Sequence, residues 1–89
     1  MAQNQVYSQK GDVISASHRI KGAKLAKDKN LDLSKLELTE LPDSLTELVQ
    51  LQSLDISKNR LKVLPGWLEQ LTKLQSLDIS NNQLKILPE

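Results

Sequence analysis

Three Asp-x-Ser triplets recur in this chain at constant spacing: Asp32 with Ser34, Asp55 with Ser57, and Asp78 with Ser80, each pair 23 residues from the next. Carboxylates and hydroxyls in such a series can hold a cation or a basic side chain, the hydroxyls supplying hydrogen bonds. Asn30, Ser53 and Ser76 precede the aspartates, and Lys35, Lys58 and Asn81 follow the serines. Catalysis has less to work with. His18 is the single histidine and cysteine is absent, which removes thiolate nucleophiles, disulfides and a His/Cys metal cluster. No serine sits in a GxSxG turn, and no GxxxxGK[ST] phosphate loop is present, so neither a hydrolase elbow nor a nucleotide-hydrolysing loop is written here. The chain is expected to be non-catalytic, with no metal and no cofactor.

The triplets sit inside a longer internal repeat. Residues 51–73 read LQSLDISKNRLKVLPGWLEQLTK, and residues 74–89 read LQSLDISNNQLKILPE. Leu51, Leu54, Ile56, Asn59, Leu61, Leu64 and Pro65 recur as Leu74, Leu77, Ile79, Asn82, Leu84, Leu87 and Pro88. One period earlier Leu31, Leu33, Leu38, Leu41, Pro42, Leu45 and Leu48 keep the frame. Two positions depart from it: Asp28 stands where a leucine is expected and Leu36 where an asparagine is expected.

Leu54-Asp55-Ile56-Ser57 alternates apolar and polar residues, the period of a strand. Ser53, Asp55 and Ser57 then share the face opposite Leu54 and Ile56. The copies have no hairpin signal between them, so they are expected to lie in parallel, one strand per coil. The return segment carries Leu64, Leu68 and Leu71 at i, i+4 and i+7, which predicts a helical turn on the outer side with Pro65 in its first turn. Asn59 and Asn82 stand where the chain leaves the strand, and are expected to bond the backbone of their own and the neighbouring coil.

Composition agrees. Eighteen leucines, five isoleucines and four valines face no phenylalanine, one tryptophan and one tyrosine. A core built of one repeated shape implies one repeated environment, whereas a compact core mixes shapes. The 89 residues allow one small domain with a marginal core. Residues 1–30 carry six Lys/Arg against two Asp, and residues 31–89 six against nine Asp/Glu, so the two parts are differently built. The absence of cysteine, and of any apolar run in residues 1–30 long enough for a signal peptide or membrane helix, makes the cytoplasm the expected compartment.

Residues 1–12 are polar and expected to be disordered. A helix is expected over 13–27, within a capping region 13–29, with Asp12 or Ser15 as its cap and Ala16, Ile20 and Ala23 as its apolar stripe. Gly22 weakens it by about 1 kcal/mol relative to alanine. Lys24, Lys27 and Lys29 lie toward its C-terminal end, where positive charge suits the dipole. A solenoid needs its end covered, and this helix is placed to cover the first coil. Leu36 fits that reading: no earlier coil is there for an asparagine to bond, and an apolar side chain can face the cap. The rival use of His18, Arg19, Lys21, Lys24, Lys27 and Lys29 is a basic surface for nucleic acid or anionic lipid. It is disfavoured, because the charges spread around the helix, no aromatic is interleaved for stacking, and large apolar residues are few.

These residues resemble the leucine-rich-repeat family, in its 23-residue intracellular class found in Ras-group, bacterial and Roco-type proteins, with the pattern LxxLxLxxNxLxxLPxxLxxLxx. The resemblance spans residues 28–89. It implies an α/β, right-handed solenoid with short parallel strands on a concave face and an N-terminal capping helix. The repeats would occupy 30–89, starting near 28, 51 and 74, with the last incomplete. It also implies a non-catalytic scaffold for protein–protein interaction, belonging to or cut from a larger signalling or regulatory protein.

The expected binding surface is the concave strand face: Asp32, Ser34, Ser53, Asp55, Ser57, Lys58, Ser76, Asp78, Ser80 and Asn81, with Asn30 and Lys35 completing the rows. Adjacent strands lie about 4.8 Å apart, so neighbouring carboxylates repel by somewhat under about 1 kcal/mol in water. A basic segment of another protein would relieve that repulsion. The competing reading is a soluble strand face and no more, since Asp and Ser are common at these positions in the resembled family. Trp67 is a secondary candidate. Its counterpart one repeat earlier is Ser44, and Val63 and Ile86 stand where the earlier copy has Glu40; an exposed apolar patch there would suggest a partner site, whereas packing against a neighbouring coil would not. Leu74, Leu77, Ile79, Leu84 and Leu87 call for a further covering layer. Continuation in a longer protein, self-association, or a frayed last coil would each answer that.

Overall fold

A computed structural model describes residues 11–85. The chain begins there with helix α1, Val13–Ala26, followed by strands β1 (Asn30–Asp32), β2 (Ser53–Asp55) and β3 (Ser76–Asp78). The three strands form one parallel sheet in the order β1-β2-β3. Their register equals the sequence period: Leu31 pairs with Leu54 and Leu54 with Leu77, so every residue faces its own copy. Residues 1–10 of the expected disordered tail lie outside the described residues, but its last two, Gly11 and Asp12, are held in place, the Asp12 N–H donating to the Leu36 carbonyl.

Each coil closes through a short 3-10 helix, Asp43–Glu47 in the first and Gly66–Gln70 in the second. The expected helical turn of the return is present, and its period is that of a 3-10 helix. Leu45, Leu48 and Leu51 are three residues apart, and each N–H donates to the carbonyl three back: Leu45 to Pro42, Leu48 to Leu45 and Leu51 to Leu48, all at 3.1 Å. Leu68, Leu71 and Leu74 repeat the series. Three residues per turn is the 3-10 period, and it keeps every third side chain on the core side. Pro65 stands at the cap position with extended backbone (φ −69°, ψ 144°), just outside the helix rather than in its first turn.

The core is a single cluster of leucines and Ile56 from the first two coils, joined by Ala16, Ile20 and Ala23 of α1. The helix starts at Asp12, whose carboxylate accepts the Ser15 N–H at 3.0 Å. It ends at Lys27 in the left-handed region (φ 56°), where the Asp28 N–H reaches back to the Ala23 carbonyl at 2.9 Å. Asp28 departs from the repeat because it belongs to this helix exit and not to a coil. Its carbonyl accepts from the Gln50 side chain at 3.0 Å.

Leu36, the second departure, is where the cap docks. Its side chain is buried, and its carbonyl accepts the Asp12 N–H at 2.8 Å. Gly11 makes the approach possible. It has φ +89°, and a Cβ built there would lie 2.2 Å from the Glu37 carbonyl oxygen, so no side chain fits.

Candidate functional site

The strand face is built by the register. Asn30, Ser53 and Ser76 form one row across the sheet and Asp32, Asp55 and Asp78 the next. Asp32 and Asp78 are exposed and Asp55 half-buried. The inward residues Leu31 and Leu54 are buried in the core, which forces their neighbours onto the opposite face.

The serines after the aspartates do something other than wait for a ligand. In each coil one Asp oxygen, Oδ1, accepts both the N–H and the hydroxyl of the serine two residues on. The distances are 2.8 and 2.6 Å for Ser34, 2.9 and 2.6 Å for Ser57, and 3.0 and 2.7 Å for Ser80. The pair forms a side-chain turn that leads the chain out of the strand. The next residue then enters the left-handed region, with φ of 60° at Lys35 and 57° at Lys58 and Asn81. Two expectations are corrected by this. The serine hydroxyl protons are spent inside the protein, so these serines do not donate to a partner. Ser57 is also buried, with 5% of its surface exposed, and does not line the surface. What the row offers outward is one free carboxylate oxygen per coil, Oδ2, unpartnered among the described residues.

The same bonds set the acidity. The Ser34 hydroxyl, then its N–H, holds the Asp32 carboxyl below its ordinary value, helped by the charges of Arg19 and Lys35. Ser80 does the same for Asp78, helped by Lys58.

Asn59 and Asn82 hold the coils that carry this face. The Asn59 carbonyl oxygen accepts the N–H groups of Leu36 at 3.1 Å and Leu38 at 3.0 Å, one coil back. Its amide donates to Leu33 of that coil at 2.9 Å and to Ile56 and Ser57 of its own at 3.0 and 3.2 Å. Asn82 bonds Leu61 and Ile56 one coil back, and Ile79 and Ser80 in its own. Both asparagines are structural, as their positions suggested.

The basic residues of α1 divide. The Arg19 guanidinium donates to the Asp32 carbonyl at 3.0 Å, covering the outer edge of β1. Lys24 pairs with Glu47 of the first return. A shallow cleft of about 510 Å³ remains between α1 and β1, lined by Arg19, Gly22, Asp28, Asn30 and Asp32 among others. Trp67 is half-buried and packs against the core cluster, so it is not a bare aromatic anchor. Val63 is exposed, and Ile86 lies outside the described residues, as does Leu87. Among the described residues there is no group of His, Cys, Asp or Glu able to hold a metal ion, and no helix is long and apolar enough to cross a membrane.

A stack of parallel coils, each one strand, an asparagine-bonded turn and a leucine-lined return, defines a solenoid of short repeats with a helical cap. The chain belongs to the leucine-rich-repeat family: the family model described as "Leucine rich repeat" matches residues 29–84. Among solved structures it is similar to a leucine-rich-repeat protein of Leptospira interrogans, with 31% identity and a TM-score of 0.69 over 96% of this chain. The chain spans 20% of that protein's length. No curated protein matches it.

Proposed function

We propose that this chain is a protein-interaction module, a non-catalytic scaffold within a larger signalling or regulatory protein of the cytoplasm, and that it receives a basic segment of its partner on the strand face. The observation that supports this is the row of Asp32, Asp55 and Asp78. In each, Oδ1 is pinned by its serine, which leaves Oδ2 presented at the spacing of adjacent strands. Pre-set acceptors lose little freedom on binding. A lysine- or arginine-bearing chain laid across the strands meets one acceptor per coil.

The test is titration of the isotope-labelled chain with an arginine-rich peptide, followed by amide NMR shifts. Shifts at Asp32, Asp55 and Asp78 that weaken with added salt support the reading. Replacing all three aspartates by asparagine keeps the serine bonds and should abolish them. Shifts confined to other surfaces, or unchanged by the triple substitution, would reject it.

A further inference from the structure

β1 is an edge strand, and one side of it stays mostly open. The Leu33 N–H donates to the Asp55 carbonyl at 2.7 Å and the Ser53 N–H to the Lys29 carbonyl at 3.0 Å. In a parallel ladder this alternation turns the odd-numbered residues toward β2 and the backbone groups of Asn30 and Asp32 away from it. Of those four groups Arg19 takes one, the Asp32 carbonyl. The Asn30 N–H, the Asn30 carbonyl and the Asp32 N–H have no partner among the described residues. The two N–H groups stand two strand residues apart, about 6.6 Å. Both residues line the cleft of about 510 Å³ between α1 and β1. The α1 wall of that cleft contains Gly22. Glycine in mid-helix is destabilising relative to alanine, and nothing in the fold calls for it here. Its backbone is ordinary helix, and a Cβ would meet nothing within 4 Å. A bare position on this wall leaves room for another backbone to come close. Asp28 adds to the cleft a carboxylate that no described residue engages.

We infer that this cleft is a second docking site, independent of the aspartate row, and that it takes an extended segment of another protein, added to β1 as a further strand. The groups that face the cleft define the occupant. A donor, an acceptor and a second donor at strand spacing are met together by the backbone of an extended chain. Gly22 lets that chain lie close against α1. A lysine or arginine on it meets Asp28. Both walls are already ordered, since Ile20 and Ala23 hold α1 in the core and Arg19 ties it to β1, so the site loses little freedom on binding.

The probe is the synthetic peptide Thr-Val-Lys-Val-Thr, blocked at both ends and titrated into the full chain. The expected result is amide NMR shifts at Gly22, Asn30 and Asp32, slowed hydrogen exchange at Asn30 and Asp32, and no change at Asp55 and Asp78. Two methylated forms of the peptide separate backbone pairing from charge. One carries N-methyl groups on its valines and the other on its threonines and lysine, which block opposite edges of an extended chain. One form should bind like the parent and the other should not bind. Gly22→Leu should weaken binding about tenfold or more with an unchanged circular dichroism spectrum, because it fills the cleft without touching the core. Asp28→Asn should weaken it less and remove its salt dependence. The inference is overturned if the peptide shifts nothing, shifts Asp55 and Asp78 instead, binds alike in both methylated forms, or binds undiminished to the Gly22→Leu chain. Slow exchange at the Asn30 and Asp32 amides before any peptide is added would mean that the edge is already paired, and would overturn it too.

Discussion

Asn59 shows how much one side chain can carry. It is buried and makes five bonds to two coils. Asn59→Ala strands buried N–H groups at Leu36 and Leu38, each costing about 1–3 kcal/mol. Urea denaturation should show a loss of about 3 kcal/mol or more, and a smaller loss for the half-buried Asn82. The two informative glycines act oppositely. Gly11→Ala forces a Cβ onto the Glu37 carbonyl and should destabilise the cap. Gly22 has nothing within 4 Å of its missing Cβ, so Gly22→Ala should raise stability by about 1 kcal/mol. The aspartates respond to pH. Asp12, Asp32 and Asp78 have folded-state values lowered by their serine bonds, so their contribution is fully present above the unfolded carboxylate value. It is lost as pH falls through the lowered folded values. Carboxyl NMR titrations should show Ser34→Ala and Ser80→Ala moving Asp32 and Asp78 back up, with less acid-dependent loss of stability.

At the level of elements, the strands and the cap helix were legible because their patterns are local. Period-two alternation places Leu54 and Asp55 on opposite faces. Ala16, Ile20 and Ala23, at i, i+4 and i+7, make the buried stripe of the helix. The helical character of the returns is legible from the spacing of Leu64, Leu68 and Leu71, whereas their 3-10 period shows only in the run Leu68, Leu71 and Leu74, each N–H bonded three residues back. The Asp-x-Ser spacing was likewise a turn signature in plain view. The cap depends on Ile20, buried to 3% exposure. Ile20→Ala should cost about 2–4 kcal/mol, measured by thermal unfolding. Disrupting the exposed Lys24–Glu47 pair by Glu47→Gln should cost under about 1 kcal/mol.

Across the whole molecule, stability should be graded, since each coil touches only its neighbours. Equivalent leucines report this directly: Leu54 is 1% exposed, Leu31 8% and Leu77 38%. Native-state hydrogen exchange should protect β2 most and β3 least, and Leu54→Ala should destabilise more than Leu77→Ala. Uniform protection across the three strands would contradict a chain of nearest-neighbour coils.

The sequence alone determined the period, the strand faces, the asparagine ladder and the place of the cap, because a repeat writes each local environment several times over. Tertiary structure decided what no spacing contains. Gly11 must approach Glu37, Arg19 must reach the Asp32 carbonyl, and Ile14 and Leu25 must turn away from the core. The Gly11 and Arg19 contacts join the cap to a coil, and among the described residues that junction occurs once. The use of the serine hydroxyls, by contrast, recurs in every coil, but only coordinates show which acceptor each one takes.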